Sequence, residues 1–181
     1  TSIESEIQEL IDNDIILTIG SKECADIVNK LSKKADKKIR AHIKIDTGFG
    51  RYGFIYSDIR TIVETINSLK DVSIEGMYSH FSLAYYKNNK WTIKQFNRFM
   101  EVVEALNLND INIQTLHICN SPAFLNYPNM HLNGARIGSA FLGRVDADIN
   151  VGLKKIGKLK CSIEEIKIVP KGFNIGYLNS Y

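Results

Sequence analysis

An α/β fold is predicted by three observations. Amphipathic helical stretches alternate with short apolar strands along most of the chain, the connections between them are short, and polar residues gather at or just beyond the carboxyl ends of successive strands. Repeated strand and helix units with short connections give parallel strands and right-handed crossovers, hence a barrel or a doubly wound sheet. The strand-end residues, Lys44 and Asp46, Ser79 and His80, Asn120 and Ser121, and Arg136, favour the barrel, because that rim is where barrel active sites are built. The expectation is part of a TIM-type (β/α)8 barrel over residues 1–146, followed by the start of a β-rich C-terminal domain over 147–181.

Each element has its own signal. Ser2 to Asn13 carries Ile3, Ile7, Leu10 and Ile11 on one helical face, and Ile15 to Ile19 then reads as a short strand. Ser21 is an N-cap for a helix whose inner face is Cys24, Ile27, Val28, Leu31 and Ala35. Arg40 to Asp46 alternates, with Ala41, Ile43 and Ile45 on one side and Arg40, His42, Lys44 and Asp46 on the other, as in a half-solvated strand. A glycine-rich loop from Asp46 to Gly53 follows, then a helix expected to be capped at Ser57 with Ile59, Ile62, Val63, Ile66 and Leu69 inside. Strand Val72 to Ser79, helix Thr92 to Leu106 with Phe96, Phe99, Met100 and Val103 inward, strand Thr115 to Cys119 and a short strand at Ala135 to Ile137 complete the alternation. After Gly143 the rhythm changes. Lys155 to Gly176 reads as β without helix, around a Pro170-Lys171-Gly172 turn.

Composition excludes several classes of function. With 23 basic and 20 acidic residues mixed along 181, the net charge of +3 creates no field suited to nucleic acid or a membrane surface. The basic stretch from Lys30 to Arg40 reads as a solvated face near a helix C-terminus. Three widely spaced cysteines, Cys24, Cys119 and Cys161, fit neither a disulfide framework nor a metal site and point to a reducing, cytoplasmic setting. No apolar run approaches the roughly 18 residues of a membrane span. The start at Thr1, inside a predicted helix and without methionine, suggests a cut rather than a natural terminus.

The rim offers two arginines, two histidines, an Asn-Ser pair and several glycines, a set that suits an anionic, phosphorylated ligand. Asn120-Ser121-Pro122, at a strand end before a helical turn, can offer amides, a hydroxyl and a helix N-terminus to a phosphate, or serve as a plain cap. The four histidines share no metal-ligand spacing, so no metal site is expected.

Five segments in order carry a resemblance: His42 to Gly53, Glu75 to Phe81, His117 to Ser121, Asn133 to Gly138, and Gly176-Tyr177. Together they resemble the successive signatures of the alanine racemase family, enzymes of pyridoxal 5'-phosphate that interconvert L- and D-alanine as homodimers and so supply D-alanine for peptidoglycan. The resemblance covers essentially the whole chain, from the middle of the family's barrel to the first residues of its β domain. It implies that Arg136 faces the pyridine nitrogen of the cofactor, braced by His80 and His117. Since arginine stays protonated, with a pKa above about 12, the ring nitrogen would receive no full proton. Asn120, Ser121 and the backbone of Gly138 match the phosphate cradle. Arg51 matches an arginine near the cofactor's phenolic oxygen and the substrate carboxylate. Lys44 matches a lysine that carries a carbamate in many members. Tyr177 matches the tyrosine that reaches a partner subunit and takes the α-proton of the L-substrate, while the cofactor lysine serves the other face.

Two departures qualify the match. Leu178 follows Tyr177 where the family continues with glycine, which opens serine or a broader range of amino acids as substrate. The Lys-Ala-Asn-Ala-Tyr-Gly-type motif that bears the family's cofactor lysine does not occur in this sequence, so the chain alone is expected to be inactive. A non-catalytic, racemase-like ligand-binding module is the alternative from a different class.

Overall fold

The structure is a computed structural model that describes residues 4–35, 38–145 and 151–175. Helix α1 (Glu4–Asp12) leads into strand β1 (Leu17–Ile19). Helix α2 (Lys22–Ser32) starts where expected, with the Ser21 side chain accepting from the Cys24 amide. Strand β2 (Ile39–Asp46) is followed by the two-residue strand β3 (Phe54–Ile55), helix α3 (Ile59–Ser68), strand β4 (Val72–Tyr78) and helix α4 (Lys90–Asn107). Strand β5 (Thr115–Cys119), the short helix α5 (Ser121–Asn126) and strand β6 (Gly134–Ala135) complete the order.

All strand pairs are parallel, and the sheet runs β1-β2-β4-β5-β6, with β3 paired only to the end of β2. Apart from β3, spatial order equals chain order. A doubly wound sheet reverses direction at a switch point, whereas the described strands advance in one direction, which is the winding of a barrel wall. Ile43, Ile45, Met77 and Ile118 form the core with Val28, Ile62, Phe99 and Val102, all fully buried. Burying side chains of this size contributes roughly 1.5–3 kcal/mol each.

The opposite face of the sheet departs from expectation. The polar side of β2 is not half-solvated at its end: Lys44 is 2% exposed and Asp46 is 5% exposed. That face turns into the concave side of the wall, where both side chains find polar or aromatic neighbours. Helix α3 is capped by Asp58, not Ser57, its carboxylate accepting from the Thr61 amide at 3.2 Å. Helix α4 begins earlier than expected, with Asn89 capping the Trp91 and Thr92 amides. Its buried face combines Phe99, Val102 and Leu106 with the polar Thr92 and Gln95, while Phe96, Met100 and Val103 lie at the margin of the core.

Of the span 147–181 that is expected to begin a β-rich domain, residues 151–175 are described. Residues 151–175 carry no strand, and Ile163, Ile166 and Ile168 are 77%, 84% and 100% exposed. A strand satisfies its backbone only against a neighbour, and no ladder among the described residues reaches this segment. Its one predicted turn is present, with the Phe173 amide donating to the Pro170 carbonyl at 3.1 Å. The boundary at 146 and 147, and Tyr177, lie outside the described residues.

Candidate active site

Arg136 follows β6, its amide held by the Cys119 carbonyl at 2.9 Å. Its guanidinium turns back across the strand ends. Nη1 donates to His117 Nδ1 at 2.5 Å, and Nη2 donates to the Ser79 carbonyl at 2.5 Å and to His80 Nδ1 at 3.2 Å. The group also lies 4.8 Å from the centre of the Tyr78 ring. Arginine has donors only, so both facing imidazole nitrogens accept and carry no proton. The electrostatics agree. Burial, then Arg136 and the nearby Arg51 and Lys44, push His80 down to about 4. Burial, then Arg136 and His42, push His117 down to about 4. Burial lowers Arg136 itself from its ordinary value, partly offset by Tyr78.

Lys44 extends between the rings of Tyr52 and Tyr78, its Nζ 5.4 Å and 5.5 Å from their centres, and donates to the Ile45 carbonyl at 2.7 Å. Burial pushes its pKa down to about 8; Asp46 opposes the shift, and Arg136 and Arg51 add to it. Burial alone would raise the Asp46 carboxyl, but the Gly48, Phe49 and Gly50 amides, at 2.8, 2.8 and 2.9 Å, and Lys44 hold it below its ordinary value. This carboxylate therefore shapes the glycine-rich loop. Gly53 closes the loop at φ +120°, and a methyl group there would lie 3.0 Å from the Lys44 carbonyl oxygen and the Asp46 nitrogen. Arg51, at the exposed tip, covers the rings of Phe49 and Tyr52 at 4.6 and 5.3 Å.

Ser121 Oγ gathers two amides, Gly138 N at 3.0 Å and Ala140 N at 3.2 Å. Nothing lies within 4 Å of the position a methyl group on Gly138 would take. Asn120 is engaged structurally. Its carbonyl oxygen caps α5 through the Ala123 amide at 3.2 Å, and its amide donates to the Phe81 carbonyl at 3.1 Å.

The structure thus unites Arg136, His80 and His117 in one cluster, places Asn120 beside His80 at 3.5 Å, and joins Ser121 to Gly138. Lys44 and Arg51 belong to the same rim through Tyr52 and Tyr78, whose hydroxyls are 3.2 Å apart. Sequence reading missed Tyr78, Tyr52, Gln95 and Ala140. Tyr78 was open to inference, since it shares strand parity with Gly76 and precedes two rim residues. Ala140 offers only its backbone, which no side-chain pattern signals.

Residues 2–145 match the family model described as "Alanine racemase, N-terminal domain". Among curated relatives, an alanine racemase of Methanococcus maripaludis is 34% identical over 180 residues, covering 96% of this chain and 48% of the relative. One from Clostridium novyi is 35% identical, covering 96% and 46%. Among solved structures, alanine racemase of Clostridium difficile 630 in complex with cycloserine superposes with a TM-score of 0.76 at 30% identity, over 82% of this chain and 41% of that one. The enzyme from a D-cycloserine-producing Streptomyces lavendulae gives 0.80 at 26% identity, over 96% and 47%. The chain spans about half the length of the curated relatives it matches. With the family model covering most of its length and its barrel wall superposing on solved members, the chain belongs to the alanine racemase family.

Proposed function

We propose that this chain is the pyridoxal-phosphate-holding wall of an amino-acid racemase that interconverts L- and D-alanine in the cytoplasm as a homodimer. The observation that carries the reading is the Arg136 cluster, a half-buried cation locked in place by two neutral imidazoles and a backbone carbonyl. A permanently charged donor of this kind suits an aromatic nitrogen that must be polarised without being protonated. The residues also fit the other end of the cofactor: the Gly138 and Ala140 amides converge on Ser121 Oγ, two backbone donors and a hydroxyl gathered at one point beside the N-terminus of α5, which is the donor set a phosphate would take over. When bound, pyridoxal phosphate supplies the electron sink that acidifies the substrate's α-proton.

The chain's own residues then divide the work. Arg136 keeps its protons and fixes the ring's orientation. His80 and His117, neutral and acceptor-oriented, hold the guanidinium plane. Arg51 offers its charge to a carboxylate at the loop tip. Tyr177 holds and moves a proton at its phenolic oxygen for the L-face. Lys44, with its amine shifted toward the neutral form, attacks carbon dioxide; an N–C bond forms and one proton leaves for water. The resulting carbamate is an anion beside the two arginines that repelled the ammonium. The covalent lysine of the family is not supplied by this sequence, so the chain binds the cofactor without attaching it.

Titration with pyridoxal phosphate and with pyridoxal, followed by fluorescence, tests the reading. Charge-assisted contacts of about 1.5–3 kcal/mol each favour the phosphorylated form by about tenfold or more, and Ser121→Ala should remove most of that preference. No saturable binding, or equal affinity for both compounds, would refute the proposal. In an enzyme that also carries the lysine motif, formation of D-alanine from L-alanine tests the activity, and preferential formation of D-serine from L-serine would reassign the substrate.

A further inference from the structure

His42 has no part in the scheme so far. It stands on β2, two strands away from His117 on β5, with β4 between them. Neighbouring strands run about 4.8 Å apart, so the backbones of β2 and β5 are separated by nearly 10 Å. A side chain on β4 would ordinarily fill that gap. The residue of β4 in register with His42 is Gly76. A methyl group there would lie 2.6 Å from His42 Cε1 and Nε2, and Gly76 has no positive φ that would call for glycine. Its missing side chain lets the two imidazoles meet over the middle strand, with His42 Nδ1 and His117 Nε2 3.0 Å apart and ring centroids 5.2 Å apart.

We infer that His42 is a positioning residue for Arg136, fixing the tautomer of His117 and through it the direction in which the guanidinium is held. The inference rests on the proposed role of Arg136 only for its functional consequence. The proton count has one solution. Arg136 donates into His117 Nδ1, so that nitrogen is bare. His117 is neutral, so its single proton sits on Nε2 and points at His42 Nδ1. That nitrogen accepts, which leaves the proton of neutral His42 on Nε2, above Gly76. Donation therefore runs one way, from Arg136 through His117 to His42. Tyr78 lies flat on His117, with centroids 4.9 Å apart and planes at 3°, and keeps the ring from turning. With the opposite tautomer, two donors would face each other at Arg136.

The experiment is imidazole ¹⁵N NMR on the full chain without cofactor, which keeps it independent of the cofactor assignment. Wild-type His117 should show a bare Nδ1, a protonated Nε2 and a through-hydrogen-bond coupling from that Nε2 to His42 Nδ1. His42→Asn offers an acceptor oxygen close to the original Nδ1 and should preserve this pattern. His42→Phe keeps a ring but no acceptor, and should give His117 mixed-tautomer shifts. With pyridoxal phosphate added, the Phe variant should bind roughly tenfold more weakly and the Asn variant nearly as wild type, the size expected for loss of an outer-shell partner. Protonated Nδ1 in wild-type His117, absence of the coupling, or a His117 spectrum unchanged in the Phe variant would overturn the relay; the wild-type coupling decides even if that variant does not fold. A confirmed tautomer with unchanged cofactor affinity in the Phe variant would overturn the action through Arg136. Failure of the wild type itself to bind cofactor would refute the proposed function and leave the relay to the NMR result.

Discussion

Acidification should destabilise this fold through two specific imidazoles. His80 and His117 each fall from an ordinary 6.5 to about 4 in the folded chain, because burial and Arg136 penalise their charged forms. The unfolded state therefore binds more protons between those values, so the stabilisation is complete above 6.5 and is lost as pH falls toward 4. At about pH 4.5, linkage over such a shift costs about 2.6 kcal/mol per group. Both rings are partly reached by solvent, so screening reduces this to about 1.3 kcal/mol each, or about 2.6 for the pair. Asp46 is held below its ordinary 3.8 and so contributes only at still lower pH, whereas burial lowers His42 from its ordinary value as well, so a third imidazole adds in the same direction. Urea unfolding at about pH 7 and about pH 4.5 measures the loss, and each kilocalorie corresponds to about 2–4 °C in Tm for a chain of this size. His80→Gln retains an acceptor for Arg136 and does not titrate, so its acid-induced drop should be about 1.3 kcal/mol smaller than that of wild type. An identical drop in variant and wild type would show that His80 is not held neutral by its surroundings.

Three further outcomes follow from the same geometry. Gln95→Leu strands the Ser82 donors and the His80 carbonyl, and should cost about 3 kcal/mol in urea unfolding. Gly53→Ala must hold a left-handed φ with its methyl against backbone, and should lower stability by about 2 kcal/mol or more, read as a fall in Tm. Incubation with ¹³C-labelled carbon dioxide somewhat above pH 8, where much of Lys44 is neutral, should give a carbamate carbon signal that Lys44→Arg lacks.

The barrel wall was legible because its elements obey local rules. Ser21 caps α2 as a serine should, and the alternation of Ala41, Ile43 and Ile45 marks the helix-facing side of β2. The cluster of Arg136, His80 and His117 was legible through motif order, with His80 and Arg136 just beyond their strands and His117 within β5. What escaped were the long-range facts. Gln95 reads as a surface residue in any helical pattern, and only the loops it meets make its burial favourable. Gly76 reads as a weak spot in a strand until His42 is seen against it. The β pattern of Ile163 to Val169 stands as a pattern in the sequence, and a strand forms from it only with a second segment to pair with.

Helix α4 sends Trp91, Gln95 and Arg98, three residues on one stripe, to two different rim loops. Trp91 Nε1 and Gln95 Oε1 bond Ser82, while Arg98 donates to the Thr47 carbonyl at 2.9 Å. Loops hung from a common rod cannot open separately at low cost, so the turn that carries Arg51 and the turn that follows His80 should exchange their amide hydrogens as one cooperative unit. A ligand that grips only one of them would slow exchange in both, and a small amino acid bound at the tip of the first could thereby quieten the second without touching it.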